Sequence, residues 1–153
     1  MEKKNKILTY LAGTLALLGI CMLFLPCGIF KNETDTYQTL GMPMFFGYSM
    51  NGNHIFNYNI LGLISLVFIT LSIIFDMTTL LKTNNNFLSG SLMLCGTLLF
   101  IITGLNVNVV QPEAANDFTL LFPFYLASAF LVCSTIIIVI KPYITKDKKK
   151  ENK

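Results

Sequence analysis

Asp76 is the strongest candidate for a functional residue, because it is the only charged side chain inside a long apolar run of this 153-residue chain. The run covers residues 60–81 and is long enough to cross a bilayer, which takes about 20 residues. An acid within a membrane could relay protons or bind a cation. At about 1.5 Å per helical residue, however, Asp76 lies only about 7–9 Å from Lys82 at the end of the run. There it could instead have a structural role, pairing with a lysine from another helix end such as Lys6 or Lys141.

The other reactive residue types are few and scattered. The single histidine, His54, has no second histidine or nearby cysteine with which to form a metal site. The four cysteines include no CxxC pair, and we interpret them as buried small hydrophobic residues rather than a disulfide framework. No nucleophile–base set or phosphate-binding loop occurs, so we expect no catalytic residues, no metal and no cofactor. The cysteines are Cys21, Cys27, Cys95 and Cys133.

The composition is that of a membrane protein. Hydrophobic residues make up 54% of the chain and charged residues 12%, which leaves too few polar side chains to cover the surface of a soluble domain. All the strongly basic residues are lysines, and the absence of arginine argues against nucleic acid as a partner.

Four apolar runs are long enough to span lipid, and helices satisfy their own backbone hydrogen bonds there. We therefore predict an all-α membrane protein, an antiparallel left-handed bundle of four transmembrane helices forming one domain over residues 1–145. Pro26 and Pro142 are expected to close the first and last helices, since proline interrupts the helical hydrogen-bond ladder. The predicted helices cover about 7–30, 60–81, 88–110 and 119–141.

Small and polar residues in these runs are predicted to face other helices, because helices in lipid need close backbone approach to pack. In the second run, Ser65, Ser72 and Asp76 share one face and are candidates for inter-helix polar contact or ion coupling. The third run has two adjacent columns at heptad spacing, which favours a left-handed crossing. The columns are Ser89, Gly96, Thr103 and Gly90, Thr97, Gly104.

The lysines predict the orientation in the cell membrane, because positive charge collects on the cytoplasmic side. Only Lys31 lies between the first and second runs, whereas the other lysines precede the first run, follow the second or follow the fourth. Both termini are therefore expected in the cytoplasm. The lysine-rich segment 146–153 is expected to be disordered and to attract anionic lipid.

The outer loop, residues 31–59, is the longest segment between the runs and is rich in aromatic residues. Asn51-Gly52 is the preferred pair for a two-residue hairpin turn, in which Tyr48 would face Ile55. A third strand from residues 36–40, or packing on the helix ends, would have to support such a hairpin. Exposed aromatic residues on a rigid turn suit protein recognition. The candidate partner-binding residues are Phe46, Tyr48, Phe56 and Tyr58.

The stretches MLFLPCGIFKNETDTYQTLGMPMFFG and FNYNILGLISLVFI resemble small uncharacterised four-helix membrane proteins of low-GC Gram-positive bacteria. The shared plan is a first helix ending in proline, an outer tyrosine-containing strand and Phe-Gly ahead of the second helix. The layout also resembles claudin-type tetraspans, which implies a β-rich first outer loop. The claudin W-GLW-C-C signature has no counterpart here.

Two functions are consistent with these features. The first is a non-enzymatic integral membrane protein, an accessory subunit or envelope interaction module, that binds a membrane protein partner or its own copies through the outer loop. The alternative is a small oligomeric channel or transporter subunit that uses Asp76 and the Ser/Thr face of the second helix.

Overall fold

Four long helices dominate the structure, a computed structural model that describes residues 2–31, 36–50, 53–56, 58–78, 86–106 and 117–146. All four are long and apolar enough to cross a membrane. Large apolar side chains such as Leu17, Val67, Leu98 and Ile136 are about half exposed on the outside of the bundle. Lipid is the medium in which such a surface is stable. The long helices are α1 (Glu2–Cys21), α3 (Ile60–Thr78), α4 (Asn86–Leu105) and α5 (Phe122–Lys146).

The helices form a ring in which each packs on two neighbours, in the order α1, α3, α4, α5. Neighbours run antiparallel. In the α3–α4 pair, Gly62 lies against Thr103 while Ser72 contacts Ser89. The predicted small-residue columns explain this approach, because all six of their residues in α4 are buried. The prediction that they face other helices is confirmed.

A β-structured cap covers one end of the bundle, which we call the sheet end. Strand β1 (Pro26–Lys31) lies between β2 (Thr36–Leu40) and β5 (Asp117–Leu120) in an antiparallel three-stranded sheet. A short helix, α2 (Gly41–Phe46), follows β2. The hairpin of β3 (Tyr48–Met50) and β4 (Asn53–Phe56) forms a separate two-stranded sheet.

Helix boundaries at the sheet end differ from the prediction. Helix α1 stops at Cys21, a 3₁₀ turn covers Met22–Phe24, and the rest of the first apolar run is strand β1. Likewise α5 begins at Phe122, because residues 117–120 pair with β1. A short buried strand is as apolar as a helix, so hydropathy alone does not separate the two.

At the other end, α1 begins at Glu2 and so includes the lysine-rich leader, and α4 begins at Asn86. Helix α5 continues through Pro142 to Lys146, so the prediction that this proline closes the helix is wrong. Proline removes only one backbone donor, and packing of the flanking turns keeps such helices intact in membranes. The predicted helix ends at 79–81 and 107–110 and the tail 147–153 lie outside the described residues.

The predicted hairpin is present, with a different register. Ser49 faces His54 and Met50 faces Asn53, as a two-residue turn requires. A bulge then pairs Tyr48 with Phe56 rather than with Ile55. The strand over residues 36–40 is also present but pairs with β1, so it does not support the hairpin as proposed from the sequence.

Candidate functional site

Asp76 and Lys141 form an ion pair inside the bundle. The two residues are 2% and 3% exposed, and the Lys141 ammonium donates a short hydrogen bond to Asp76 Oδ1. The ammonium also donates to Thr9 Oγ1 at 2.9 Å. Three helices, α1, α3 and α5, therefore meet at this site. Of the two partners proposed from the sequence, Lys141 is the one that this contact joins to Asp76.

The lysine stem allows the pair to form across the ring. Helices α3 and α5 are not neighbours in the ring, and the four methylene groups of Lys141 bring its charge across to α3. The site lies far from the sheet, since Asp76 is two residues from the end of α3 and Lys141 is five from the end of α5. It therefore joins the helices at the end that the cap does not hold.

The electrostatics of the pair make it sensitive to the loss of either partner. Moving a lone charge into a low-dielectric interior costs several kcal/mol, and the opposite charge offsets much of that cost. The same arrangement has possible chemistry, because a carboxylate in contact with an ammonium can exchange a proton with it. Movement of a cation or proton through the site would require the contact between Asp76 and Lys141 to open.

A second polar contact joins α3 to α4. Ser72 donates to the backbone carbonyl of Ser89 at 2.8 Å, and Ser89 donates to that of Ser72 at 3.0 Å. The exchange is reciprocal, so each buried hydroxyl has a carbonyl acceptor. Ser65 is also buried but donates to Gly62 within its own helix at 2.6 Å. Of the predicted inter-helix residues, Asp76 and Ser72 thus bond across helices, while the hydroxyl of Ser65 bonds locally.

Two further contacts complete the ring of polar links. The Thr97 and Thr135 hydroxyls, from α4 and α5, lie 2.9 Å apart, and Thr135 also lies 2.8 Å from its acceptor, the Leu131 carbonyl. Ser134 of α5 donates to the Ala12 carbonyl of α1 at 2.8 Å. Hydroxyl-to-backbone bonds of this kind add modestly to helix association in lipid, by about 0.6 kcal/mol on average.

Three stacked phenylalanine rings fill the bundle interior below the cap. Phe45 stacks on Phe100 with ring centroids 5.1 Å apart, and Phe100 stacks on Phe124 at 5.4 Å. Glycines make the room: a Cβ on Gly104 would lie 1.9 Å from the Phe124 ring, and one on Gly62 would lie 2.5 Å from the Phe45 ring. Helix α2 is therefore anchored in the bundle by Phe45.

In the sequence Phe45 is one of several aromatic residues of the outer loop, and nothing in its local pattern indicates that it is an anchor. The only feature of the sequence that bears on the burial of Phe45 is Gly62 on α3, and this glycine could equally be a packing residue between helices. The partner in α2 becomes visible only when the two segments are brought together.

The predicted partner-binding residues fall into two groups. Phe46 is 51% exposed at the end of α2, and Tyr58 is 62% exposed just before α3. The Asn59 amide donates to the Phe45 carbonyl at 3.3 Å, which brings these two exposed residues onto adjoining backbone segments. Tyr48 and Phe56 are paired across the hairpin, and the positions of their side chains lie outside the described part of the structure.

The cysteines correct one interpretation. Cys27 alone is buried, while Cys21, Cys95 and Cys133 are exposed on the outside of the bundle. Cysteine is small and apolar enough to face lipid, so its presence in an apolar run does not indicate which way it points. Burial raises the pKa of the Cys27 thiol from 9.0 to about 11, because the thiolate would lose its hydration. All four cysteines are free thiols.

Within the described ranges, no three His, Cys, Asp or Glu residues are grouped closely enough to hold a metal ion. No family model, curated protein or solved structure matches this chain. The functional argument therefore depends on the geometry of its own residues.

Proposed function

We propose that this chain is a non-enzymatic integral membrane protein that acts through protein–protein contacts made at its sheet end. It resides in the cell membrane as a left-handed bundle, with the sheet end outside and both termini in the cytoplasm. The described lysines support this orientation: Lys4 and Lys6 begin α1 and Lys141 and Lys146 end α5, all opposite the sheet. Among the lysines that the structure describes, Lys31 alone lies at the sheet end.

The observation that carries the proposal is the aromatic pair, which we define as Phe46 and Tyr58. Both side chains are more than half exposed on backbone that is hydrogen-bonded to the anchored α2. Large, rigid aromatic groups at low entropic cost are the typical energetic centres of protein interfaces.

The backbone that carries the aromatic pair is held against the bundle by burial and by hydrogen bonds. Phe45, the neighbour of Phe46, is fully buried in the phenylalanine stack. The cap is also bonded to the bundle ends by the Gly41 amide, which donates to the Leu25 carbonyl at 3.2 Å, and by the Leu121 amide, which donates to the Cys27 carbonyl at 2.8 Å. A partner that binds a preorganised surface does not have to order it, so less binding energy is lost.

Site-specific photocrosslinking tests the proposal. A photoreactive amino acid is placed at Phe46, at Tyr58 or, as a matched control, at Phe122 in the protein expressed in its native membrane. Phe122 is 72% exposed at the same end of the bundle, so it reports on lipid-facing aromatic positions in general. We expect one discrete protein adduct from the first two positions and none from the control.

The alanine variants provide the second arm. Phe46→Ala and Tyr58→Ala should each abolish the adduct formed from the other position, while Phe122→Ala should not. Equal behaviour of all three positions would mean that these side chains serve only as an interfacial aromatic belt, and the proposal would fail.

The buried ion pair favours a second candidate function, an ion-coupled channel or transporter subunit. Charges inside a membrane protein are costly and commonly mark ion paths. Flux of protons or monovalent cations in liposomes that is lost in Asp76→Asn would support this candidate. If Asp76→Asn folds normally and its flux equals that of the wild type, the channel or transporter function is excluded.

A further inference from the structure

A groove lies between the beginning of α4 and the end of α5, opposite the sheet. It has a volume of about 440 Å³, within the range of about 300–1,000 Å³ that small-molecule sites occupy. It is open on the outside of the bundle, where lipid would meet it. The groove is lined by Asn86, Phe87, Gly90, Ser91, Leu94, Val139, Pro142 and Tyr143.

Most polar groups of the lining lie at the mouth, beside Phe87 and Pro142, and the deepest lining residues are apolar, with Ser91 between them. Asn86 is the first residue of α4 and Tyr143 lies near the end of α5, so both mark the mouth of the groove. Leu94 is eight residues further along α4, about 12 Å deeper, and Val139 is a turn deeper on α5. A ligand that matches this gradient has a polar head and an apolar chain.

A buried hydrogen-bond acceptor lies at the mouth of the groove. The side-chain oxygen of Asn86, Oδ1, is out of contact with solvent and accepts no hydrogen bond from any residue that the structure describes. A buried polar atom without a partner costs about 1–3 kcal/mol, and a ligand donor would remove that cost. The head group should therefore carry a hydroxyl or amine hydrogen.

Gly90 leaves open space at the floor of the groove. A Cβ on Gly90 would meet only Val139 Cγ2, at 3.7 Å, within its surroundings, although Gly90 is itself buried. The other helix-packing glycines of α4 are tightly filled, since a Cβ on Gly96 or Gly104 would lie 2.9 Å or 1.9 Å from a neighbouring side chain. Gly90 is thus the one of these three glycines that faces unfilled volume.

The charge at this end of the bundle favours an anion. Helix α5 ends at Lys146, three residues beyond Tyr143, and the exposed Lys4 lies at the same end on the neighbouring helix α1. Lysines near a membrane surface attract anionic lipid by about 1 kcal/mol each.

We propose that the groove binds one anionic phospholipid whose head group carries hydroxyls, of the phosphatidylglycerol type. The head-group hydroxyl donates to Asn86 Oδ1, the phosphate lies toward the lysines, and one acyl chain follows Leu94 and Val139 into the bundle surface. This site does not depend on the contacts proposed for the sheet end.

Native mass spectrometry of the full-length protein in detergent tests the site. Phosphatidylglycerol and phosphatidylcholine of equal chain length are titrated separately, because the phosphocholine head group has neither net charge nor a hydrogen-bond donor. We expect one tightly bound phosphatidylglycerol per chain and about tenfold weaker phosphatidylcholine binding. Gly90→Leu, which fills the floor, should reduce phosphatidylglycerol binding at least about tenfold.

Three variants keep the result interpretable. Gly90→Ala adds only a methyl group with room for it and should bind as the wild type does. Leu98→Phe adds bulk to an exposed position of the same helix outside the groove and should also bind normally. Asn86→Ala should lower phosphatidylglycerol binding while leaving phosphatidylcholine binding unchanged.

Several outcomes would overturn the proposal. Equal binding of the two lipids would show that the groove does not select an anionic head group with hydroxyls. Full retention of phosphatidylglycerol by a folded Gly90→Leu variant would show that the lipid does not bind in the groove. A dimer that is lost in Gly90→Leu without change in bound lipid would assign the groove to a second copy of the chain. If Gly90→Leu does not fold, Asn86→Ala decides alone, because its side chain is smaller than the original.

Discussion

Removing the two charges of the buried pair one at a time and then together gives the sharpest test of the bundle interior. Asp76→Ala removes the carboxylate that accepts from the Lys141 ammonium and keeps the Thr9 hydroxyl beside it. Lys141→Met removes the ammonium that donates to Asp76 Oδ1. The double variant Asp76→Leu/Lys141→Met removes both charges and keeps similar volume.

The expected magnitudes follow from burial. Because both side chains are at least 96% buried in the ion pair, loss of either partner should lower the free energy of unfolding by about 3–5 kcal/mol. The double variant should lie within about 1 kcal/mol of the wild type or be more stable, since well-packed apolar residues often replace buried ion pairs without loss. Thr9→Val, which removes a hydrogen bond to a charged group, should cost about 1.5–3 kcal/mol.

Reversible unfolding in mixed micelles, followed by helical circular dichroism, measures these differences. Lys4→Met is the control, because Lys4 is exposed and its loss should change stability by less than about 0.5 kcal/mol. If Asp76→Ala matched that control, the pair would be solvated and its proposed contribution wrong. If the double variant lost as much as both single variants combined, the two charges would not interact.

Two further predictions concern the packing of two glycines in α4 and the burial of Cys27 at the sheet end. Gly104→Ala should lower the free energy of unfolding by about 1–3 kcal/mol, because the new methyl group would collide with the Phe124 ring. Gly90→Ala should leave the free energy of unfolding unchanged or raise it by up to about 1 kcal/mol. The same unfolding assay measures both variants. Cys27, in a chain whose other cysteines are alanine, should react with a maleimide far more slowly in the native protein than in the unfolded chain at pH 8, because its pKa is about 11. Because the pKa of the native thiol lies above its unfolded value, the neutral thiol stabilises the fold below pH 9, and this contribution is lost between pH 9 and 11. Equal labelling rates of the native and unfolded chains at pH 8 would contradict the burial of the thiol.

The membrane helices and their packing faces could be predicted because lipid imposes few and strong constraints. A spanning segment must be apolar and helical, and its small residues must face other helices. Ser72 and Asp76 were placed on the inner face of their helix by spacing alone, and both are buried there. The contact between Asp76 and Lys141 depends on the ring order of the helices, which hydropathy does not contain.

The cap could be predicted only in part because it depends on pairing between distant segments. Strand β1 pairs with β5, so Gly28 faces Leu120 across the sheet although most of the chain lies between them. The burial of Phe45 depends on Gly62 in α3, because a Cβ at that position would lie 2.5 Å from the Phe45 ring. Local patterns located the hairpin near its turn but not the bulge that shifts Tyr48.

Helix α5 and strand β5 contact α1, α4 and β1, and they are synthesised after the other described elements. Until they emerge from the ribosome, β1 lacks the neighbour on one of its edges, Ala12 lacks Ser134, and Asp76 lacks Lys141. A chain halted before residue 117 would have an open edge on β1 and an Asp76 carboxylate without the Lys141 counter-charge, and both features are unfavourable. The links from α1 and β1 to this part of the fold therefore form only after β5 and α5 have been synthesised.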